Sequence, residues 1–404
     1  MELSLPAGWQ WRKARDCMDV RDGTHDSPKY IPLGYPLVTS KNLVNGKIDF
    51  STCSFISKED FDAISKRSAV DDGDILYAMI GTIGNPVIVQ KQSEFAIKNV
   101  ALFKFNNGNI LNKYVYHFLN SEFAVSQFNS NSRGGTQKFV SLTNIRDLRI
   151  PLPPLAEQQK IAAILDAADR LRQKDHQLVE RYTTLSQSLF LEMFGDPLKN
   201  PQKWKLTALS SLVKAVIDCP HTTPRWTEFG KVAIRTSNLT EGGWIWGDKR
   251  YVSEQEFHER SARAYVKSGD IVLSREGTVG VAAIVSPDME ICLGQRLVQI
   301  QPNLQLANNH FLLNLILYEL APERIETVMV GATSKHLNLK DLRSMKMITP
   351  PISLQNQFAE RIKLIEAQKQ KAQTSLQKSE ALFNSLLQQA FTGELTRAPM
   401  ERAA

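Results

Sequence analysis

The sequence predicts an α+β protein built as a tandem repeat, in which each copy is a mixed α/β globule followed by one long helix. Two observations support this. The stretches 153–196 and 350–394 both have the pattern of a long helix, and motifs in the segments before them recur at an offset of 196 to 197 residues. A repeat of that period in 404 residues gives two copies. We therefore expect approximate two-fold symmetry within one chain.

The first long helix is marked by its ends and by its apolar spacing. Pro153 and Pro154 precede it, Gly195 and Pro197 close it, and neither residue type lies between. Some 38 residues at 1.5 Å each would make a rod about 57 Å long, which needs an equally long partner. The predicted buried seam, with spacings of three and four, is Ile161, Leu165, Ala168, Val179, Tyr182, Leu189 and Met193, widened by Ile164, Leu171, Leu178 and Leu185.

The second long helix supplies that partner. Pro350 and Pro351 precede it and Gly393 ends it. Its seam residues each lie 197 positions after a residue of the first helix, and they are Phe358, Ile362, Ile365, Ala372, Leu376, Phe383, Leu386 and Ala390. We expect the two helices to pair as an antiparallel coiled coil, which would place the globules at its opposite ends.

The globules repeat as well. Asp22-Gly-Thr-His25 is matched by Asp218-Cys-Pro-His221, and Gly81-Thr-Ile-Gly84 is matched by Gly277-Thr-Val-Gly280. In the first copy, strands are expected over 73–80, 85–90 and 96–105, and one helix over 111–128. The predicted boundaries are 1–152 for the first globule, 153–196 for its helix, 197–349 for the second globule, 350–395 for its helix and 396–404 for a tail.

Composition limits the function classes. The chain is 42% hydrophobic with a net charge of +7 and a pI near 9.1, which fits a nucleic-acid partner without requiring one. No signal peptide and no membrane-spanning run is indicated, so a cytoplasmic protein is expected. The four cysteines, Cys17, Cys53, Cys219 and Cys292, form no C-x-x-C pair; we expect reduced core thiols and neither a disulfide framework nor a metal site.

Three loop groups in each globule carry residues suited to DNA. Arg or Lys recognises guanine, Asn or Gln recognises adenine, and hydroxyls and lysines contact phosphates. The first group is Thr24, His25 and Lys29, repeated as His221, Thr222 and Arg225. The second is Lys41 and Asn42, repeated as Arg235, Thr236 and Asn238. The alternatives are ordinary surface turns for the first group and turn-capping asparagines for the second.

The third group combines glycines with a hydroxyl and a lysine, which together can surround a phosphate. Its members are Arg133, Gly134, Gly135, Thr136 and Lys138, repeated as Gly331, Thr333, Ser334, Lys335 and His336. Arg275 and Glu276, ahead of the Gly277 turn, could read guanine and cytosine or could form a solvated surface pair. In the first copy Met79 and Ile80 stand in their place.

Motifs of catalysis are not found in the sequence. It has no phosphate-binding P-loop, no dinucleotide fingerprint and no Asn/Asp-Pro-Pro-aromatic motif of an adenine methyltransferase. We therefore predict no catalytic residues. A coiled-coil scaffold without a DNA role remains an alternative.

The order and doubling of these motifs resemble the specificity subunit of a type I DNA restriction-modification enzyme. The resemblance is carried by the block Pro151-Leu-Pro-Pro-Leu-Ala-Glu-Gln-Gln-Lys-Ile161, by Phe194-Gly195-Asp196, by Ala390-Phe-Thr-Gly-Glu-Leu395 and by the hairpin Gly269 to Gly280. It covers essentially the whole chain.

The resemblance implies a role in recognition. Each globule would be a target-recognition domain that reads one half of an asymmetric bipartite site in double-stranded DNA. The chain would dock two methyltransferase subunits and, through them, restriction-translocation subunits. S-adenosylmethionine, ATP and Mg would be bound by those partners, and this chain would need no cofactor. A related type II-like restriction-modification enzyme is a second alternative.

Residues at both ends of the coil are candidate docking points for the methyltransferase subunits, because a two-helix coil leaves flanks free for further helices. They are Gln158, Gln159, Phe194, Gln355 and Phe391, among which Gln158 and Gln355 occupy one repeated position and Phe194 and Phe391 another.

Overall fold

The computed structural model describes residues 5–81, 83–105, 108–131, 139–321 and 337–396. The chain divides into two compact units. Unit 1 is Met1–His176 together with Thr374–Ala404, and unit 2 is Gln177–Gln373. Each long helix therefore contributes one half to each unit.

Unit 1 is built on a four-stranded antiparallel sheet with a smaller mixed sheet beside it. The larger sheet has the strand order Asp19–Asp22, Val100–Lys104, Ile75–Ala78, Gly84–Ile88. In the smaller sheet Tyr35–Val38 pairs antiparallel with Ser54–Ile56 and parallel with Ala96–Ile97. Two further strand pairs are Gln10–Lys13 with Arg149–Leu152 and Leu43–Val44 with Lys47–Ile48.

Unit 1 also contains several shorter helices. Beside the long helices they are Ala14–Cys17, Lys58–Ser68, Asn112–Leu119, Glu122–Asn131 and Leu142–Arg146, with 3-10 turns at Ser40–Asn42 and Phe50–Thr52. The single helix predicted over 111–128 is wrong, because the chain breaks after Asn120. The Ser121 hydroxyl accepts a hydrogen bond from the Ala124 N–H at 3.4 Å and so caps a second helix.

The strand predicted over 96–105 is also divided in two. Its first part belongs to the mixed sheet and its second part to the larger sheet. Between them Asn99 has a φ of 55°, in the left-handed region that asparagine tolerates. This turn moves the chain from one sheet to the other and places Asn99 at the edge of both.

Unit 2 has the same design. Its four-stranded antiparallel sheet has the order Val213–Asp218, Leu297–Pro302, Ile271–Ser274, Ala282–Ile284. The smaller mixed sheet has the order Trp226–Thr227, Tyr251–Val252, Lys231–Ile234, Ile291–Leu293. The remaining pairs are Lys205–Ala208 with Lys346–Thr349 and Leu239–Thr240 with Gly243–Trp244. The shorter helices are Leu209–Leu212, Glu254–Arg260, Asn309–Glu319 and Leu339–Ser344, with a 3-10 turn at Thr236–Asn238.

The long helices run over Leu155–Phe194 and Ile352–Thr392, inside the predicted stretches. In unit 1 the beginning of the first helix shares a core with the end of the second, through Ile161 and Leu165 on one side and Leu387 and Phe391 on the other. In unit 2 the end of the first helix shares a core with the beginning of the second. Beginning meets end in each unit, so the pairing is antiparallel and the predicted fold class is confirmed.

The predicted widening of the buried seam is wrong. Ile164 and Leu171 in unit 1 are 37% and 45% exposed, and Leu178 and Leu185 in unit 2 are 40% and 48% exposed. Within each unit the buried contact follows the narrower set of residues, because a two-helix pair covers only one stripe of each helix. These four residues recur every seven positions along the first long helix and form an apolar row that the described part of the chain leaves exposed.

Candidate nucleic-acid interface

In unit 1 the histidine loop, residues 23–27, follows the edge strand Asp19–Asp22. The His25 ring is held on both sides. Its Nε2 lies 2.9 Å from Asp22 Oδ2, and its Nδ1 lies 2.8 Å from Asn99 Oδ1. Both partners are oxygen acceptors, so a protonated ring can donate to both. The side chain is 54% exposed, and the loop therefore presents a fixed ring to solvent.

Asp22 is the buried anchor of this loop. Its side chain is only 5% exposed, and its second carboxylate oxygen accepts a hydrogen bond from the guanidinium of Arg67 on the helix Lys58–Ser68. A buried carboxylate is stable when its charge is compensated and its oxygens are hydrogen-bonded. Arg67 therefore holds Asp22 in place, and Asp22 orients His25.

Unit 2 repeats the anchored histidine with a different cation. His221 Nε2 lies 3.0 Å from Asp218 Oδ2, and Arg275 Nε lies 3.4 Å from Asp218 Oδ1. The counterpart of Arg67 in the repeat is Arg263, which instead donates to the main-chain oxygen of Asp218 at 3.1 Å. Each unit thus places a guanidinium on the same aspartate, but from a different segment of the chain.

Arg275 lies behind the histidine loop. Its side chain is 6% exposed, its main-chain N–H donates to Arg296 O, and its carbonyl accepts from Leu337 N–H. Glu276 is more accessible at 31% and lies 3.5 Å from Arg275. The predicted base contact by Arg275 would need this buried side chain to turn outward. The structure gives it a positioning role toward Asp218.

The two asparagines of the second group cap turns. Asn42 is 3% exposed; its Oδ1 accepts from the Thr39 N–H at 2.8 Å, and its Nδ2 donates to Asp49 O and Thr52 Oγ1. Asn238 repeats the pattern, accepting from Arg235 N–H at 3.0 Å and donating to Ile245 O at 3.2 Å. This is the geometry of the capping interpretation, and a base contact by either amide would cost these bonds.

In unit 1 the first and second groups meet at Asn99. Its carbonyl accepts from the Ser40 hydroxyl at 3.3 Å, while its side chain contacts His25. Lys98 bridges to Thr24 along the backbone and donates from Nζ to Ser27 Oγ at 2.6 Å. We call Thr24, His25, Lys41, Lys98 and Asn99 the unit 1 loop cluster. Lys98 and Asn99 were missed from the sequence, because they lie more than seventy residues from the loop they support.

The equivalent surface of unit 2 has other chemistry. Gly294 stands where unit 1 has Lys98, because the two main-chain N–H groups donate to equivalent carbonyls, Val38 O and Ile234 O. The adjoining Gln295 donates to His221 O at 2.6 Å, and its Oε1 accepts from Thr223 Oγ1 at 3.4 Å. Thr222, exposed, has its carbonyl bonded to Arg260 Nη2 at 2.9 Å. The scaffold of the loop is therefore the same in both units, while the groups it presents differ.

Several predicted cations are paired within the chain. Arg225 contacts Glu256 and Glu259, both at 2.5 Å, and Arg235 contacts Asp248 at 2.6 Å. Lys29 and Lys41 are exposed, and Thr236 is partly exposed. An exposed lysine can reach a phosphate directly, whereas Arg225 and Arg235 would first have to leave their carboxylates.

The third loop group lies outside the described residues in both copies. This applies to Arg133, Gly134, Gly135, Thr136 and Lys138, and to Gly331, Thr333, Ser334, Lys335 and His336. Their contact with DNA stays a prediction.

Four of the five predicted docking residues are used inside the chain. Phe391 packs on Tyr114 and Phe118 in unit 1, Phe194 packs on Phe311 and Phe358 in unit 2, and both are fully buried. The side chains of Gln158 and Gln355 are 1% and 0% exposed. A partner could not touch these four residues directly.

The two glutamines fasten each long helix to its unit. Gln158 Oε1 accepts from the Leu111 N–H at 2.8 Å, and its amide donates to Pro153 O. Gln355 Oε1 accepts from the Asn308 N–H at 2.9 Å, and its amide donates to Pro350 O. Only Gln159, which is exposed, keeps the docking role as a proposal.

The described part of the chain gives little support to a metal site, a membrane span or a reactive thiol. Among residues 5–81, 83–105, 108–131, 139–321 and 337–396, no group of three or more His, Cys, Asp or Glu side chains could hold a metal ion. No helix of these residues is long and apolar enough to cross a membrane. All four cysteines are free, and burial raises the pKa of Cys53 and of Cys292 to about 11, so their thiols are protonated near neutral pH.

Two similar units, each with an anchored histidine loop and one half of an antiparallel helix pair, define an internally duplicated recognition protein. The chain belongs to the family of type I restriction modification DNA specificity domains. The family model matches residues 6–181 and matches again over residues 203–378.

Relatives and a solved structure also match this chain over most of its length. The putative type I restriction enzyme MjaX specificity subunit of Methanocaldococcus jannaschii is 24% identical over 383 residues, covering 90% of this chain and 88% of the relative. The type I restriction enzyme EcoBI specificity subunit of Escherichia coli is 23% identical, covering 90% and 80%. The crystal structure of a type I restriction-modification S subunit from M. genitalium superposes with a TM-score of 0.58 at 15% identity, covering 97% and 98%. That likeness shows a shared fold.

Proposed function

We propose that this chain is the specificity subunit of a type I restriction-modification enzyme and that each unit binds one half of a bipartite DNA site. The observation that carries the proposal is the repeated histidine loop: in both units an aspartate that is at most 15% exposed holds an exposed histidine three residues later. A shared scaffold with different neighbouring groups is what reading two unlike half-sites requires.

The unit 1 loop cluster has the chemistry for this task. Lys41 and Lys98 supply positive charge for phosphates, and His25 supplies a ring whose orientation is fixed before DNA arrives. A fixed group loses less conformational freedom on binding than a mobile one. Unit 2 has Gly294 at the position of Lys98, with the amide of Gln295 beside it, so the two half-sites are expected to differ in sequence and in salt dependence.

The exposed apolar row supports the docking of methyltransferase subunits. The row consists of Ile164, Leu171, Leu178 and Leu185 of the first long helix, and seven-residue spacing of apolar side chains is the pattern that accepts another helix. The equivalent positions on the second long helix are Arg361, Gln368, Ser375 and Leu382, of which only the last is apolar. The proposal includes two methyltransferase subunits, with restriction-translocation subunits bound through them.

This chain recognises the DNA site, and the partner subunits carry out the reactions. Methylation of an adenine within a duplex requires the base to leave the stack and enter the methyltransferase pocket. S-adenosylmethionine, ATP and Mg are proposed to bind the partner subunits. The proposed action on DNA together with these subunits supports a cytoplasmic location.

The long helices are proposed to set the number of base pairs between the half-sites. Their lengths of 40 and 41 residues correspond to roughly 60 Å each. Inserting four residues into both helices should change the spacer in the methylated sites, as read by sequencing methylated DNA. An unchanged spacer would reject this role.

Binding as a function of salt tests the proposed function. The complex with its methyltransferase subunits is titrated with duplex DNA carrying the methylated site and with a scrambled duplex. Each phosphate neutralised contributes about 0.9 to the slope of log K against log salt, so two engaged units predict a steep slope and tighter binding of the true site. A flat slope on both duplexes would favour the scaffold alternative. Methylation by a single fused chain would favour the type II-like alternative.

A further inference from the structure

Both units expose a large apolar residue at the same place. Leu33 is 83% exposed and Phe229 is 81% exposed, and they lie 196 positions apart, in register with the rest of the repeat. Single exposed apolar residues are common and need no explanation. Here the exposure recurs in both copies, although the two residues before the tip are Ile31 and Pro32 in one unit and Thr227 and Glu228 in the other.

The tips are held rigidly in place. Each is followed by a glycine that lies tightly against a carbonyl: a Cβ on Gly34 would come within 2.2 Å of Ile56 O, and one on Gly230 within 2.3 Å of Val252 O. No other residue fits such a close approach without moving the backbone. In unit 2 the Thr227 hydroxyl also donates to Phe229 O at 2.8 Å. The backbone therefore keeps the tips at the surface.

The tips lie on the same segments of the chain as the candidate DNA-binding loops. Leu33 lies eight residues after His25, and Phe229 lies eight residues after His221, on the segment that also carries Lys29 or Arg225. In unit 1 the Ile31 N–H donates to Phe55 O at 2.9 Å, and Tyr30 is 52% exposed. In unit 2 the Arg250 guanidinium lies 5.5 Å from the centroid of the Trp226 ring. Aromatic and basic groups thus accompany each tip.

We propose that Leu33 and Phe229 are wedges that enter between stacked base pairs, one in each half-site. The inference rests on the proposed function of the two units. An apolar side chain has no donor or acceptor with which to read a base edge, but Leu and Phe are among the residues that unstack a base step and bend the duplex. The wedge makes each unit sensitive to how easily its half-site deforms, which adds selectivity at a step that no hydrogen bond reads.

The test uses the complex with its methyltransferase subunits and the DNA site identified by sequencing methylated DNA. 2-Aminopurine, whose fluorescence rises when it is unstacked, replaces one base at a time through both half-sites. The variants are Leu33→Ala and Phe229→Ala. The matched control is Leu304→Ala, at a position 61% exposed and away from the tips in the sequence. Leu33→Met serves as the conservative variant that should retain the wedge.

We expect Leu33→Ala to remove the fluorescence rise at one step of one half-site and to weaken binding about tenfold. Phe229→Ala should do the same in the other half-site only, while Leu304→Ala and Leu33→Met match the unaltered complex. Unchanged fluorescence and affinity in both alanine variants would overturn the wedge while leaving the proposed function intact. Loss of the methyltransferase subunits from the variants would also overturn it and identify the tips as a protein contact. Failure of the unaltered complex to distinguish its site from scrambled DNA would overturn both proposals.

Discussion

The carboxylate of Asp22 lies 2.9 Å from the ring of His25, and the two side chains differ sharply in exposure, at 5% and 54%. Asp22 is buried and His25 lies at the surface, and a single hydrogen bond joins them. Mutagenesis can therefore distinguish two proposed roles: Asp22 positions His25, and His25 contacts the DNA.

Replacing Asp22 with Asn should weaken DNA binding at one half-site. The amide keeps the size of the side chain but loses the charge that holds both His25 and Arg67. We expect affinity for the true site to fall about tenfold, or ~1.4 kcal/mol, in fluorescence anisotropy titrations. Base changes in the half-site read by unit 1 should then matter less. The control is Asp26→Asn, an exposed neighbour in the same loop. If the Asp22→Asn variant binds the true site as tightly as the Asp26→Asn control, the anchored histidine has no role in recognition.

Lys98→Gln removes one positive charge from the unit 1 loop cluster and keeps a polar side chain there. The substitution removes the charged Nζ of Lys98, which donates to Ser27 Oγ at 2.6 Å. The slope of log K against log salt should become shallower by about 0.9, the loss of one phosphate contact, while the methylated sequence stays the same. The control is Lys58→Gln, because Lys58 pairs with Asp62 on the surface of a helix. An unaltered slope would exclude a phosphate contact by Lys98.

The apolar row lies on the first long helix, whereas three of the four equivalent positions on the second long helix are polar. Leu171→Ser together with Leu178→Ser should reduce the number of methyltransferase subunits per chain from two to one in native mass spectrometry. Because both side chains are already exposed, Tm should hardly change. The control is Leu364→Ser, at a position 71% exposed on the second long helix. Two subunits retained by the double variant would show that the row is not a docking face.

Phe194→Ala should act differently, because this ring is part of the unit 2 core beside Phe311 and Phe358. Truncation of a buried phenylalanine costs about 3–5 kcal/mol, so the variant should show a lower Tm while its methyltransferase subunits stay bound below that temperature. Calorimetry and co-purification at low temperature measure the two effects separately. Loss of the subunits with Tm unchanged would restore Phe194 as a docking residue.

Asp166 fastens the first long helix to unit 1 and should make stability depend on pH. Hydrogen bonds from His117, at 2.8 Å, and from Lys113, at 2.6 Å, lower the pKa of Asp166 to about 2. A carboxylate with a lowered pKa stabilises the fold fully above its unfolded value near 4 and loses that contribution as pH falls toward 2. The difference in Tm between the chain and Asp166→Asn should shrink between about pH 5 and pH 2. A constant difference would show that the ionised form is not what stabilises the contact. Unit 2 has Asn314 and Lys363 at these positions and lacks this pair.

The sequence predicted the architecture because duplication and helix periodicity are local signals. Proline and glycine mark both ends of each long helix, and the offset between copies can be counted. The breaks at Asn99 and Ser121 were missed because each depends on one backbone turn inside an otherwise regular apolar pattern. The exposure of Leu171 and Leu178 was missed because periodicity locates a face without saying which neighbour covers it.

The candidate site was predicted in its parts but not in its organisation. The histidine loops were recognised by their repeat, whereas Asp22 and Asp218 were passed over as anchors, and Lys98 was not selected at all. Arg275 was read as a surface residue because its neighbours Glu276 and Gly277 belong to a turn. Only the fold brings Arg275 to Asp218, 57 positions earlier in the chain.

The most direct test of the account is to exchange residues 1–150 for the corresponding globule of another family member and to sequence the methylated DNA of a host carrying the hybrid. If each unit reads its own half-site, the hybrid will have a new sequence in one half of the site, with the other half and the spacer unchanged. A change in both halves, or in neither, would contradict two units that read DNA independently.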